Sequence, residues 1–201
     1  MRPATEALVV IDVQNDFCPG GALAVPGGDA VVEGINALWP EFGAVILTQD
    51  WHPAGHSSCA TSHWGRQPYE EVEMSYGPQI LWPDHCVQGS AGAEFHPSLR
   101  TDADLILRKG FRRGVDSYSA FFENDHRTPT GLGGYLRERG IDTITLVGLA
   151  TDFCVNYSAV DGARLGFRVA VREDLTRAID LAGSLSAAHA AWADAGVGIA
   201  R

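Results

Sequence analysis

A cysteine that follows a buried strand is the first candidate for chemistry in this sequence. Residues Thr143 to Leu149 are mostly β-branched or aliphatic, which is typical of a buried strand in a parallel sheet. A short polar turn leads to Cys154, and the next residues have helical spacing up to Gly166. A helix N-terminus favours a thiolate and offers N–H groups to an oxyanion. We therefore interpret Cys154 as a nucleophile, with simple packing of a buried thiol as the alternative.

Other reactive residues lie at the ends of three further predicted strands. Asp12 ends the first strand, Asp50 and His52 follow the second, and Lys109 follows the third. In a parallel sheet, ligands bind outside the carboxyl ends of the strands, so these residues should meet Cys154 at one edge. The three strands are predicted at Ala7 to Val13, Ala44 to Thr48 and Leu105 to Arg108.

Asp12 and Lys109 supply what a cysteine nucleophile needs. Asp12 is predicted to take the thiol proton and return it to a leaving amine, although a turn-forming role would also explain it. All but one of the 15 basic residues are arginine, and the exception is Lys109. A retained lysine favours a role for a compact ammonium, against the alternative of a chance surface lysine. The N–H groups of Ala150 and Cys154 are predicted to face the substrate oxygen.

The pair Asp50 and His52 has the spacing of a metal site. Residues two apart in an extended segment point the same way, and a carboxylate with imidazole suits zinc, iron or manganese. We expect one divalent metal ion, with zinc as the first choice. The third ligand is predicted to be His85, which lies in the stiff segment Leu81 to Cys86, with His56 as the second choice. The remaining histidine candidates of this long loop are His63 and His96.

Strands that alternate with helices predict an α/β protein. We expect a doubly wound, mainly parallel six-stranded sheet with helices on both faces, as a single domain over residues 1–201. A long irregular loop at about 50–97 is expected to carry the metal site. No G-x-G-x-x-G follows the first strand, which argues against dinucleotide binding. The other predicted elements are helices at Asp29 to Trp39, Gly134 to Arg139 and Ser184 to Ala195, a short helix at Ala120 to Asn124, and strands at Phe167 to Val171 and Val197 to Ala200.

The charge and composition of the chain argue against some classes of binding partner. The chain has 201 residues, a formal net charge of -10 and a sequence pI near 5.0, which argues against nucleic acid and anionic membranes as partners. No apolar run is long enough to span a membrane, and the N-terminus leads directly into a strand. The four cysteines form no C-x-x-C pair, so we expect reduced thiols and a cytoplasmic location.

Taken together, six motifs resemble one known family. The chain is similar to the nicotinamidases, also called pyrazinamidases, of the isochorismatase-like cysteine hydrolases, most clearly from Val9 to about Phe167. The matching segments are Val10 to Cys18, Thr48 to Pro53, Tyr76 to Gln79, Leu81 to Cys86, Asp116 to Phe122 and Gly148 to Val155. One departure is Cys59, which stands where the family usually has an aromatic residue.

The resemblance implies a function and assigns roles to residues. It implies hydrolysis of nicotinamide to nicotinate and ammonia in NAD salvage, with pyrazinamide also accepted. The catalytic triad would be Asp12, Lys109 and Cys154, and the peptide bond between Leu149 and Ala150 would be cis. The metal would be held by Asp50, His52 and His85, sometimes with His56 nearby, and the flat ring of the substrate would lie between apolar walls that include Phe17, Trp82 and Tyr118.

Three other functions remain open at this point. Within the same fold, the chain could be a different amide or carbamoyl hydrolase or an isochorismatase, which generally lack the metal set. A two-His, one-carboxylate iron oxygenase would not need Cys154 or Lys109. A non-catalytic binding module would leave the triad idle. The sequence also leaves homo-oligomer formation open.

Overall fold

Residues 2–200, which the computed structural model describes, form a parallel sheet and a separate hairpin. The main sheet has the order β5-β2-β1-β6-β7-β8, and every neighbouring pair is parallel. The hairpin pairs β3 with β4 in antiparallel register. The strands are β1 (Glu6–Ile11), β2 (Ala44–Asp50), β3 (Glu71–Met74), β4 (Gly77–Ile80), β5 (Leu105–Lys109), β6 (Thr143–Leu149), β7 (Arg168–Arg177) and β8 (Gly198–Ala200).

Helices cover both faces of the sheet, because successive strand residues point to opposite faces. In β1, Leu8 and Val10 pack into one core cluster, and Ala7 and Val9 pack into the other. The first cluster includes the buried side of α1, whereas the second includes the buried sides of α2, α3 and α4. The helices are α1 (Val32–Leu38), α2 (Leu132–Glu138), α3 (Asn156–Arg164) and α4 (Ser184–Ala195). The predicted doubly wound six-stranded fold is confirmed, while the single-domain assignment stays a prediction.

The strand order reverses between β1 and β6. From β1 the chain adds β2 and β5 on one side, and then crosses to place β6 on the other side of β1. Ligand clefts form at such a reversal, because the loops leaving the two central strands diverge. Asp12 leaves β1 here with φ 47°, and Cys154 lies in the turn that leaves β6. Asp50 and Lys109 are the last residues of β2 and β5 and are direct partners in the sheet register.

The hairpin corrects the prediction for the long loop. Residues 53–97 show little periodicity, yet β3 and β4 form there. The residues of the two strands are exposed or half-buried, except for Gln79 in β4, which is fully buried. The alternation of exposed and half-buried residues in β3 spans only four residues, which is the shortest run from which a strand can be predicted.

Three local predictions about helices were wrong. Asp29 does not cap α1, because a left-handed Gly27 starts a 3₁₀ turn over Gly28–Val31 and α1 follows it. Ser184 is the first residue of α4 and not its cap, since its hydroxyl donates to Asp152. No helix forms at residues 120–124, where the Asn124 N–H donates instead to the Asp116 carbonyl.

Candidate active site

Lys109 lies at the centre of the reactive residues that meet where the strand order reverses. Its Nζ is 2.8 Å from Asp12 Oδ2, 3.3 Å from Asp50 Oδ1 and 3.4 Å from Cys154 Sγ. Nζ also donates to the Ser117 carbonyl at 2.8 Å, and Lys109 is 1% exposed. Burial alone would lower the pKa of Lys109, but the Asp12 and Asp50 carboxylates outweigh it and raise this pKa well above its ordinary value. The ammonium is therefore held charged between the carboxylates and the thiol.

Asp12 is buried and held in one orientation. Thr48 donates its hydroxyl to Asp12 Oδ1 at 2.6 Å, while the Asp12 N–H donates back to Thr48 Oγ1. Oδ2 is left facing Lys109. Burial raises the pKa of Asp12, against the opposing effect of Lys109. A carboxylate with a raised pKa accepts a proton more readily, which suits a general base.

Cys154 differs from the expectation of a thiolate at a helix N-terminus. The helix starts earlier than predicted, with a π-helical turn over Thr151–Val155 that contains the cysteine, and α3 follows. Burial raises the pKa of the Cys154 thiol well above its ordinary value, and Lys109 only partly opposes this. This direction favours a thiol that keeps its proton until the sulfur attacks.

The peptide between β6 and this turn is unusual. The bond between Leu149 and Ala150 is cis, as the family resemblance implied. The Ala150 carbonyl accepts the N–H groups of Phe153 and Val155. The oxyanion role of the Ala150 and Cys154 N–H groups stays a prediction.

Asp50, His52 and His85 lie close enough to share one metal ion, which is the predicted ligand set. Asp50 Oδ2 is 3.1 Å from His52 Nε2 and 3.5 Å from His85 Nε2. Each histidine places Nδ1 at 2.8 Å from a backbone carbonyl, that of Gly110 for His52 and that of Pro83 for His85. A carbonyl only accepts, so Nδ1 carries the proton and Nε2 faces Asp50 as a potential ligand atom.

The electrostatics of this group also fit a cation. His52 Nε2 is buried and faces the Asp50 carboxylate at 3.1 Å. Burial would lower the pKa of His52, but the adjacent Asp50 raises it to about 9. A ligating imidazole nitrogen must be deprotonated, so a divalent ion bound at His52 Nε2 would displace the proton that Asp50 favours there.

His56 is the alternative third ligand and belongs to a second compact group with His52 and Asp116. Its two ring nitrogens already have partners. Ser58 donates its backbone N–H to Nδ1, and Nε2 lies 2.9 Å from the Arg112 carbonyl. His56 thus has neither a free lone pair nor a free ring nitrogen in this arrangement, which favours His85. The other two candidates, His63 and His96, are not part of either group.

An aromatic pocket opens beside Cys154 and the metal group. The three predicted residues Phe17, Trp82 and Tyr118 line it together with Asp50, His85 and Cys154. Trp82 and Phe153 meet edge to face with ring centroids 4.9 Å apart. The sequence analysis missed four further lining residues as pocket residues, and no pattern distinguished them from core residues: Leu23, Asp116, Phe153 and Ile179.

The position of Cys59 is explained by its surroundings. The thiol is 1% exposed, and residues 59 and 82 form an isolated parallel β-bridge. Tyr69 meets the Trp82 ring edge to face at 6.0 Å. Cys59 therefore lies next to Trp82 as a small packing residue.

The comparison with protein families decides the assignment. The isochorismatase domain model matches residues 6–199, which is almost the whole chain. The chain belongs to the isochorismatase family. This family assignment confirms the resemblance inferred from the six motifs.

Individual members of the isochorismatase family are also similar to the chain. A nicotinamidase of Acinetobacter baylyi is 54% identical over 180 residues, covering 89% of this chain and 84% of the relative. A solved Acinetobacter baumanii nicotinamidase and pyrazinamidase superimposes with a TM-score of 0.99 at 53% identity, covering 100% of this chain and 98% of that one. A Pyrococcus horikoshii pyrazinamidase in complex with zinc superimposes with a TM-score of 0.77 at 31% identity, covering 98% and 99%.

Proposed function

We propose that this protein is a nicotinamidase, which hydrolyses the carboxamide of nicotinamide to give nicotinate and ammonia. The observation that carries the proposal is the contact of Lys109 Nζ with Asp12, Asp50 and Cys154, which joins a nucleophile, a base and a metal group at one pocket. The high identity to nicotinamidases over most of the chain supports the same activity.

Cys154 is proposed to attack the amide carbon while Asp12 takes its proton. The raised pKa of both groups fits this step, because the thiol keeps its proton until attack and the carboxylate is a competent acceptor. As the C–N bond breaks, Asp12 returns the proton to the nitrogen and ammonia leaves. Water then attacks the thioester with Asp12 as the base, nicotinate is released, and the Cys154 thiol is restored.

Lys109 is proposed to stabilise charge throughout the cycle. Its ammonium lies within 3.4 Å of the sulfur that becomes anionic, and it keeps Asp12 and Cys154 adjacent. The N–H groups of Ala150 and Cys154 are proposed to donate to the oxygen of the tetrahedral intermediates. Removing one such donor typically raises a barrier by about 3 kcal/mol.

Asp50, His52 and His85 are proposed to hold one divalent metal ion. Zinc is the first candidate, as in the complex of the Pyrococcus horikoshii pyrazinamidase, and iron and manganese suit the same ligands. When bound, the ion would supply a Lewis acid for a pyridine nitrogen. By holding that ion, the three side chains would position one end of the substrate ring and leave its carboxamide at Cys154.

The walls of the pocket are proposed to select a flat ring. Phe17, Trp82 and Tyr118 enclose the space between the metal group and Cys154. Pyrazinamide has the same carboxamide and a ring nitrogen in the same place, so we propose it as a second substrate.

We place the reaction in NAD salvage and in the cytoplasm. None of the helices in residues 2–200 is long and apolar enough to cross a membrane.

The experiment measures ammonia release from nicotinamide by protein whose metal content has been determined. The proposal expects multiple turnovers, nicotinate as the second product and one metal ion per chain. Hydrolysis of another amide with no activity on nicotinamide would favour a different amide hydrolase of the same fold. Oxygen consumption with an organic co-substrate would favour the iron oxygenase instead.

A further inference from the structure

A closed ring of hydrogen bonds surrounds Tyr118 on the side away from the pocket. The Tyr118 N–H donates to Asn124 Oδ1 at 2.9 Å, and Asn124 Nδ2 donates to Gln79 Oε1 at 3.0 Å. Gln79 Nε2 then donates to the Tyr118 hydroxyl oxygen at 2.7 Å, which completes the ring. Tyr118 is thus held at its backbone and at the tip of its side chain by the same two amides.

Gln79 is the residue that brings the hairpin into this ring. It is 1% exposed in a hairpin whose other residues are exposed or half-buried. Its carbonyl oxygen also accepts from the Tyr76 hydroxyl at 3.1 Å, and its amide nitrogen donates to the Ile80 carbonyl at 2.7 Å and to Asp116 Oδ2 at 3.3 Å. These partners determine which atom is oxygen and which is nitrogen, so only one orientation of the amide satisfies them.

The ring continues into the pocket wall through Trp82. Trp82 Nε1 donates to the same Tyr118 oxygen at 3.0 Å, so this oxygen accepts two N–H groups at once. The Tyr118 and Trp82 rings each meet Phe153 edge to face, at centroid distances of 5.7 Å and 4.9 Å. A change at Gln79 would therefore affect two aromatic walls of the pocket and the Asp116 carboxylate that lines it, without altering a direct contact of Asp12, Lys109 or Cys154.

We propose that Gln79 and Asn124 are positioning residues that determine the specificity of the pocket for a flat aromatic amide. They hold Tyr118 directly, and Trp82 through the Tyr118 oxygen, where both rings line the pocket. This inference rests on the proposed nicotinamidase function. A buried side chain that loses its hydrogen-bond partner is destabilised enough to reorient, so the aromatic wall depends on the two amides.

The test is Gln79→Met, which keeps the length of the side chain but neither donates nor accepts like an amide. We expect KM for nicotinamide to rise about tenfold or more, with kcat changed by less than about threefold. The rate of alkylation of Cys154 by iodoacetamide is measured on the Cys154 peptide by mass spectrometry. In Gln79→Met this rate should stay within about twofold of the wild-type rate, because the reagent has no ring that the pocket walls would hold. Gln67→Met makes the same exchange at an exposed position and should change neither quantity.

Two further variants separate positioning from general loosening of the site. Asn124→Asp retains the acceptor for the Tyr118 N–H but removes the donor to Gln79, so KM should rise here as well. In a Tyr118→Phe background, adding Gln79→Met should change KM by less than about twofold, because the partner oxygen is already absent.

The proposal is overturned if folded Gln79→Met has the wild-type KM, or if the KM and the alkylation rate deteriorate together. If Gln79→Met does not fold, Asn124→Asp decides the question by the same two measurements. Wild-type protein assayed in parallel distinguishes the two proposals. A wild-type chain that does not hydrolyse nicotinamide refutes the function, whereas an active wild type with an unaffected Gln79→Met refutes the role of the ring.

Discussion

One carboxylate oxygen of Asp50, Oδ1, lies 3.3 Å from Lys109 Nζ. The other oxygen, Oδ2, lies 3.1 Å from His52 Nε2. Asp50 therefore belongs to the metal group and also contacts Lys109 of the triad. Burial would raise the pKa of Asp50, but His52 and Lys109 outweigh it and lower this pKa well below its ordinary value. Asp50 thus stays ionised, and a change in Lys109 is expected to disturb both halves of the site.

Replacement of the nucleophile should abolish turnover. Cys154→Ala removes the sulfur that forms the thioester, and we expect loss of activity by at least about four orders of magnitude with the fold retained. Cys18→Ala, at a buried cysteine outside the triad, should keep substantial activity. Acid-quenched wild-type enzyme should carry the acyl group on the Cys154 peptide by mass spectrometry. Near-normal turnover by Cys154→Ala would rule out covalent catalysis.

Lys109→Arg should be severely impaired although the charge is kept. The larger planar guanidinium does not fit where four groups lie within 3.4 Å of Nζ in a buried site. We expect kcat/KM to fall about 100-fold or more. Arg66→Lys makes the reverse exchange at an exposed residue whose side chain pairs with Glu70 on the surface, and should have little effect. Wild-type kinetics with Lys109→Arg would show that the single lysine is an accident of composition.

Benzamide should be a far poorer substrate than nicotinamide. It carries the same carboxamide on a ring of the same size but has no ring nitrogen to hold at the metal group. We expect kcat/KM to differ by about 100-fold or more in the metal-loaded enzyme, and this gap should shrink in His52→Ala. Equal cleavage of the two amides would exclude a role for the metal group in holding the ring.

Metal content should distinguish His85 from His56. His85→Ala removes a nitrogen that faces Asp50, so the purified protein should contain much less than one metal ion per chain. His56→Gln removes a side chain whose nitrogens bond to Ser58 and to the Arg112 carbonyl, so metal content should stay near the wild-type value. Elemental analysis after dialysis measures both. Loss of metal in His56→Gln alone would assign the third ligand to His56.

Gly148→Ala should destabilise the protein near the switch point. Gly148 has φ +106°, and a Cβ there would lie 2.1 Å from the Ile11 carbonyl oxygen. We expect the free energy of unfolding in urea to fall by more than about 2 kcal/mol. Gly134→Ala is the matched control, because it lies in α2 with nothing within 4 Å of the new Cβ. This second change should raise stability by about 0.5–1 kcal/mol. Equal stability of Gly148→Ala and wild type would contradict the expected clash.

The sheet, and the proximity of Asp12, Lys109 and Cys154, could be predicted from sequence because both depend on local patterns. Apolar runs of five to seven residues mark strands such as β2 and β6 wherever they lie in the fold. Parallel strands then bring their carboxyl ends to one edge, so Asp12, Lys109 and Cys154 had to be neighbours. The helix end alone does not reveal that burial in the complete fold raises the pKa of the Cys154 thiol.

The conformation of the long loop at about 50–97 depends on tertiary contacts and could not be predicted from local sequence. His85 reaches Asp50 because the Cys86 N–H donates to Asp16 Oδ2 at 2.7 Å and the Cys86 carbonyl accepts from the His52 N–H at 3.0 Å. Similarly, Gln79 meets Tyr118 through partners distant in sequence. These contacts join residues 34 to 70 positions apart and follow no period, so no local pattern predicts them. The sequence alone determined the set of reactive residues and the edge of the sheet on which they lie. The packing of the long loop against that edge decided which histidine faces Asp50 and which amide holds the pocket wall.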